Sequence, residues 1–523
     1  MKKYLLLLSL GASSALYGVG CSDCECTAVA KSFFSVRPLY QTASPERVAL
    51  FHDRLHARED GKNGVLQVEV FGSKTTNSSK LAAYFGPFCK ARYTVTSSIK
   101  DALRATGSNP VLPENRDIVA EFFNIYLDSG NLTVNDYIIP GVYEGSFCFE
   151  PEQTVIGCGL TWRQALLQMC DCNWLWLELS TPLTHVKNCM GLHEIVNSTG
   201  EPLTLDNPTN MTQAFRQSSW MFGRIDPCCK NSETGFADLE VKIGYEWLRS
   251  DCCFLEGYLG VLIPTGNRVT SRLLFEPIVG HRHHTGVMTG LSGIFDWWGS
   301  CENDCYARFA VDWNSLYLFE ANETRSFDLV NRPWSRYMPV YINKEQAEQA
   351  FDLKDESLDS IFLHTPGINV FTKPMCVKPR FTHTFNGALL FNCKCAQAEI
   401  GYNMYARSAE CVRLACCWEE GPALKAIDGV GRTSEVARIN QPLAGVTNSD
   451  RDYDDSIIKE CDLDLQSAAH PGVLTHTIYG SVGYNFETCC YPAFAGVGFS
   501  YEFADDNAGL ERWVAWVKGG LSF

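Results

Sequence analysis

Beyond its first 20 residues the chain has no run of 18 apolar residues, the length a helix needs to cross bilayer hydrocarbon, so no transmembrane helix is expected. Basic residues are scarce: 44 Lys and Arg stand against 60 Asp and Glu, a formal charge of −16. That balance argues against nucleic acid or an anionic membrane surface as a partner, and it leaves open the attraction of cations into a cavity. Common catalytic signatures are also missing. The sequence has no Gly-x-Ser-x-Gly, no His-Glu-x-x-His and no Gly-Lys-Ser or Gly-Lys-Thr phosphate loop. Nothing in it calls for a cofactor.

What the chain has is cysteine, 24 of them, and a leader. Met1-Lys2-Lys3, an apolar run over residues 4–10 and the small residues before Cys21 make residues 1–20 a secretory signal peptide. Export to an oxidising compartment points the cysteines toward disulfides and away from metal, with a pairing that spacing alone does not give. Cys21 directly follows Gly20, as in a lipoprotein site, but Gly18 stands where such a site has Leu. Residues 21–141 are irregular in pattern and read as an N-terminal segment, either periplasmic or plug-like. Cys21, Cys24 and Cys26 are expected to anchor it by disulfides, a helix is expected over 45–59, and strands are expected over 64–71 and 117–128.

From residue 142 to 523 the period is two. In 236–249, Leu239, Val241, Ile243, Tyr245 and Trp247 share one face, and Asp238, Glu240, Lys242, Gly244 and Glu246 share the other. Side chains alternate across a strand, so this is a strand with one face in oil and one in water. Further strands follow at 142–150, 157–168, 174–185, 254–263, 285–298, 306–319, 380–392, 397–407, 475–487, 491–503 and 513–523, which makes 12, with 14 as the alternative. Without membrane helices, a closed barrel is the other structure that satisfies every backbone polar group in lipid. The joins alternate short and long. The five short ones carry Cys170 and Cys172, Cys252 and Cys253, Cys301 and Cys305, Cys393 and Cys395, and Cys489 and Cys490. Neighbouring cysteines such as Cys252 and Cys253 bond poorly to each other, so cross-links between turns, or between subunits, are expected.

The last strand ends on Phe523, preceded at alternate positions by Leu521, Gly519, Val517, Ala515 and Trp513. It resembles the C-terminal strand of bacterial outer-membrane β-barrels, and the cysteine content resembles that of Chlamydia-like outer-envelope proteins. The resemblance implies an all-β, antiparallel up-and-down transmembrane barrel in the bacterial outer membrane, with short periplasmic turns and long external loops. It further implies that Phe523 and Leu521 are read by the barrel assembly machinery, that outer-membrane lipid surrounds the chain, and that it functions as a porin-like barrel.

Alternation assigns Glu178, Glu240, Lys242, Glu246, Arg308, Asp312, Glu399, Arg407 and Lys518 to the lumen, together with Glu144, Glu150, Asp238, Glu256, Glu487, Glu502, Arg163 and Arg380. Acids outnumber bases, so an open lumen would pass small polar solutes with a mild cation preference. The competing expectation is a closed lumen, filled by salt bridges and covered by the loops 186–235, 320–379 and 408–474, in a structural or surface-interaction protein. Neighbours linked by disulfides, or a homo-oligomer, are further expected partners. His281-Arg282-His283-His284 reads as an exposed polar loop in preference to a metal site. Residues 450–455 read as a solvated loop, since the Gly and Glu of a calcium loop are absent. A barrel hydrolase would rest on His383, His476 or His185, none with a partner visible in sequence.

Overall fold

The computed structural model describes residues 30–50, 64–87, 90–97, 117–128, 133–134, 137–138, 142–170, 173–226, 229–250, 253–299, 305–352, 363–425, 457–486 and 491–523. Twelve antiparallel strands close into a barrel. In chain order they are β1 (Gly64–Thr75), β2 (Glu152–Cys170), β3 (Asn173–Cys189), β4 (Leu239–Ser250), β5 (Cys253–Ile263) and β6 (Gly286–Trp298). Then come β7 (Cys305–Leu318), β8 (Arg380–Cys393), β9 (Ala396–Arg407), β10 (Val473–Phe486), β11 (Ala493–Ala504) and β12 (Arg512–Ser522). Each strand pairs with its neighbour in sequence, and β12 pairs with β1 from Ser522 opposite Val65 to Arg512 opposite Thr75, which closes the ring.

The first barrel strand is therefore Gly64–Thr75, and residues 142–150 are not a barrel strand. Both stretches alternate, but they bury different things. Gln67, Glu69, Phe71 and Ser73 of β1 are buried while Val68 and Val70 are exposed, the profile of a wall with a filled lumen and an apolar exterior. In the other stretch Tyr143, Phe147 and Phe149 enter a hydrophobic core outside the barrel, and Glu144–Cys148 pairs with Arg92–Thr96 and His193–Ser198. Glu144 and Glu150 accordingly lie outside the lumen. Residues 118–119 do form a short strand, but Ala120–Phe123 is a single 3-10 turn, not the strand expected there. The helix expected from residue 45 is one turn, Pro45–Val48, and its remainder lies outside the described residues.

The outer wall is apolar: Ile156, Ile243, Leu259, Ile400, Ile478, Val497, Phe499 and Val517 are all exposed. In water such a surface would drive aggregation, and its cover is lipid acyl chain. No helix among the described residues is long and apolar enough to span a membrane. β4 has an extension, Ser232–Phe236, that pairs with the far half of β3. Phe236 lies opposite Leu183 and Glu240 opposite Ser180, so four steps on one strand match three on the other. This bulge holds Asp238 at a left-handed φ of 67° and turns its carboxylate toward His281.

Beyond the long-loop end the connections fold into a cap with a hydrophobic core of its own, drawn from segments between residues 30 and 510. Trp334 is its centre: it is fully buried, it stacks on Phe147 at 6.0 Å, and its Nε1 donates to the carbonyl of Phe85 at 2.9 Å. At the short-turn end Cys305, the first residue of β7, is bonded to Cys393, the last residue of β8 and its partner across the sheet. A second disulfide, Cys189–Cys229, fastens the long-loop end of β3 to the cap. Cys253 and Cys395 form no disulfide with a described cysteine. Cys172, Cys252, Cys301, Cys489, Cys490 and the side chain of Cys170 lie outside the described residues.

Candidate functional site: the lumen and its strap

Residues 30–50, here called the strap, enter the barrel from the cap and run down the lumen toward the short-turn end. Ser32 N donates to the carbonyl of Ser467 in the cap at 3.0 Å, Arg37 pairs with Glu502 near the mouth at 3.3 Å, and Leu50 N donates to Glu399 in the lower lumen at 2.8 Å. The wall is shaped for it. A Cβ on Gly159 would sit 2.3 Å from the ring of Tyr40, and one on Gly496 would sit 2.2 Å from Leu50 Cδ1. These glycines are recesses that a strap residue fills, and no larger side chain fits without displacing it. Tyr40 also shares a hydrogen bond with Thr161 at 2.9 Å, and Thr42 Oγ1 donates to Glu240 at 2.7 Å.

Electrostatics hold the strap to the wall at Arg47. Arg47 lies 2.6 Å from Glu178 on β3 and also pairs with Glu240 on β4. Lys242 is 2.8 Å from Glu178 and 3.6 Å from Glu240, and Arg163 is 3.7 Å from Glu178, donates to Glu256 at 3.0 Å and stacks over Trp176 at 3.6 Å. All these side chains are buried, and a buried charge is tolerable only when paired. Lower down, Lys518 pairs with Glu69 at 3.1 Å and donates to the carbonyl of Arg47 at 3.1 Å. A cavity of about 70 Å³ beside the strap, lined by Arg163, Trp176, Glu256 and Asp312 among others, has room for a few waters.

At the mouth a second cluster clasps the strap. Phe33 lies under the guanidinium of Arg325 at 3.2 Å and near that of Arg282 at 5.5 Å. Arg325 pairs with Glu323 at 2.6 Å and Glu410 at 3.4 Å, and Arg282 with Glu410 at 2.5 Å and Glu323 at 3.6 Å. Those guanidinium groups, against the cost of burial, hold Glu323 down at about 2 and Glu410 well below the usual carboxylate range. His284 places its two ring nitrogens 2.7 Å from the carbonyl of Phe319 and 2.7 Å from Glu323. His281 lies 2.7 Å from Asp238 through Nδ1 and 2.7 Å from Gln41 of the strap through Nε2. The loop 281–284, expected to be exposed and polar, is instead buried at Arg282 and His284, because its partners Glu323 and Glu410 in the cap and Gln41 in the strap lie far away in sequence.

The structure buries Glu178, Glu240, Lys242, Glu246, Asp312, Glu399, Arg407 and Lys518 inside the ring of strands. It gathers Glu178, Glu240 and Lys242 around Arg47; Asp312 accepts from Ser292 at 2.6 Å, and Glu399 accepts from Tyr479 at 2.9 Å. Arg308 pairs with Asp296 at 2.9 Å near the short-turn rim, apart from the others. Arg380 is not luminal: its φ of 68° bends the chain out of the cap, and its guanidinium meets Cys411 on the outside at 2.9 Å. Glu487 and residues 450–455 lie outside the described residues. Phe523 exchanges backbone bonds with Gly64 at 2.7 and 2.9 Å, so the chain end sits on the closing seam, and Leu521 faces outward. Phe33, Arg37, Tyr40 and Arg47 were missed as site residues. Their one sequence signal is two arginines and a tyrosine in a stretch without alternation.

The hydrolase candidates lie on the outer wall. His383 stacks between Trp313 and Phe381; His185 meets Thr234 Oγ1 at 2.7 Å. His476 lies 2.5 Å from the phenol of Tyr402 and 3.2 Å from Asp505, partners that sequence did not reveal. Among the described residues no group of three or more His, Cys, Asp or Glu is placed to hold a metal ion.

No protein-family model matches the chain, and no curated protein matches its sequence. Solved structures similar to it are outer-membrane barrels. An outer membrane channel from Pseudomonas putida F1 is 9% identical over 89% of this chain and 99% of its own, with a TM-score of 0.37. The toluene transporter TbuX of Ralstonia pickettii is 8% identical over 89% and 90%, with a TM-score of 0.29. A FadL homologue of Pseudomonas aeruginosa is 9% identical over 88% and 89%, with a TM-score of 0.27. A closed ring of twelve strands, apolar outside and charged inside, is an outer-membrane β-barrel, and this chain is one.

Proposed function

We propose that this barrel is a channel kept shut by its own N-terminal strap, with the cap closing the external side over it. The observation that carries this reading is Arg47, a strap residue buried between Glu178 and Glu240 of the wall. While it stays there, the charges that alternation assigns to a pore are spent on one another and on the strap. With the strap displaced, Glu178, Glu240, Glu399 and Glu502 would face water together with Lys242, Arg163 and Lys518. An acid excess of that kind supports passage of small polar solutes with a mild cation preference. A permanently closed structural barrel is the second reading, favoured by the extent of the cap core. The partners of His476, a phenol and a carboxylate, supply no serine-type nucleophile, and hydrolysis is not part of the proposal.

Planar-bilayer recording at neutral pH separates these readings. The full chain should be silent, and the double variant Gly159→Ala and Gly496→Ala, which fills the seats of Tyr40 and Leu50, should give cation-selective steps. Open steps from the unaltered chain would sink the shut-channel reading. Silence from a folded double variant whose strap has become accessible to protease would favour the structural barrel.

A further inference from the structure

We propose that His470, held beneath Phe34 at the mouth of the barrel, is an acid-operated release for the strap. The inference rests on the shut-channel reading and adds the signal that opens it. His470 is fully buried, at the join of cap and barrel. Its ring is covered edge-on by Phe34 of the strap at 5.1 Å and flanked by Tyr84 at 5.5 Å, and Tyr84 Oη in turn donates to the carbonyl of Phe33 at 2.7 Å. Arg407 of β9 reaches both the histidine and the strap: its Nη2 donates to His470 Nδ1 at 2.5 Å, and its Nη1 donates to Ser35 Oγ at 2.6 Å. One guanidinium thus ties the strap to the imidazole.

Arg407 donates to Nδ1 when that nitrogen carries no proton, which leaves the ring neutral with its hydrogen on Nε2; Nε2 has no partner among the described residues, and the carbonyl of Pro471, 2.9 Å from Nδ1, stands ready to accept a proton placed there. Protonation at Nδ1 would remove the acceptor Arg407 uses and set a second cation against it. The charged groups facing the ring are Arg407 from β9, Glu410, whose carboxylate accepts from the backbone N of His470 at 3.0 Å, and Arg282 and Arg325, which already share that carboxylate. Tyr84 is the remaining titratable neighbour, and its phenol is engaged with the strap. Among the described residues no carboxylate is left over to neutralise an imidazolium there. Burial first, and Arg407 next, hold His470 well below the usual histidine range, in keeping with that geometry.

The sign follows by linkage. The clasped ring stays neutral, whereas a ring uncovered by departure of Phe34 takes a proton near the ordinary histidine value of about 6.5. Above that value neither state gains. Below it the released state gains up to about tenfold per pH unit, until the medium reaches the depressed value of the clasped state.

The test is open probability of the full chain in planar bilayers between pH 7.5 and 5.0. The unaltered protein should be silent at pH 7.5 and open with a rise approaching tenfold per unit below about 6.5. His470→Asn keeps an acceptor for Arg407 without a titrating ring, and it should stay shut throughout. Phe34→Ala, which lets water reach the ring while it is still clasped, brings the two states' proton affinities together and should flatten the rise of opening with acid. Tryptophan fluorescence of each variant checks that the cap has folded. The release is overturned if His470→Asn, folded, responds to acid as the unaltered chain does. It is also overturned if the unaltered chain stays silent at pH 5.0 while the double glycine variant conducts, a result that leaves the shut channel standing. Conduction by the unaltered chain at pH 7.5 would instead remove the shut channel itself.

Discussion

Arg47→Met is the most direct perturbation of the closed state. The arginine is buried, 2.6 Å from Glu178 and in contact with Glu240, and methionine keeps most of its stem while removing the charge. Removing one partner of a buried ion pair costs about 3–5 kcal/mol, because the other charge stays buried and unpaired. Here Lys242 remains 2.8 Å from Glu178 and 3.6 Å from Glu240, and Arg163 remains 3.7 Å from Glu178. Both carboxylates keep a cation, so the loss belongs at the lower end, about 3 kcal/mol. At about 1.4 kcal/mol per decade, the ratio of shut to open should fall roughly a hundredfold. Single-channel recording reads this as a rise in open fraction, with the folded barrel verified by its heat-modifiable mobility on gels. Adding Glu240→Gln removes the acid then left with Lys242 alone, 3.6 Å away, and should recover part of the closure. A folded Arg47→Met that stays as silent as the parent, with the strap no easier to cleave, would refute the claim that this pair holds the gate.

Other outcomes follow from the same contacts. Glu323 and Glu410 at the mouth have depressed values in the folded protein, so their stabilisation is fully present above the unfolded carboxylate value and is lost as the pH falls through about 4 toward 2; cap fluorescence should report loosening across that window, and Glu323→Gln should blunt it. Trp334→Ala should cost the cap about 3–5 kcal/mol and expose it to limited proteolysis while the barrel keeps its far-UV signal. Reduction of Cys305–Cys393, which closes a loop of sequence separation 88, should lower stability by at most about 5 kcal/mol, read as a lower unfolding temperature, without opening the lumen.

The wall of the barrel was legible in sequence because alternation is a local property. Ile243 and Glu240 announce their faces within a few residues, and Phe523 marks the end of the last strand. β1 was less legible: its second half, Gly-Ser-Lys-Thr, lacks large apolar residues on either face, whereas residues 142–150 alternate just as a barrel strand does and bury their aromatics in the cap. The lumen-facing acids and bases could be named strand by strand, but not paired, since Glu178 meets Lys242 only through the register of β3 with β4. The strap was illegible for a different reason. Its seats are glycines on β2 and β11, and an absent side chain leaves no signature of what occupies its place. The loop 281–284 carried its charge pattern openly, yet its burial depends on Glu323 and Glu410, about 40 and 128 residues away.

The seam between β1 and β12 bears on how the molecule comes to be made. The strap lies inside the ring, and the strand that follows it, β1, is paired on one side with the last strand of the chain. The strap enters from the cap end, so its seating after closure would demand threading a charged segment past the folded cap and through a filled bore. A sheet that wraps around the strap while still open avoids that threading, and the seam where Phe523 meets Gly64 would then be sealed last. The internal segment would then act as a mandrel, since Tyr40 seats against Gly159 of β2 and Leu50 against Gly496 of β11. Barrels stalled before sealing should hold the strap already protected from protease, and chains lacking it should close slowly or with misaligned edges.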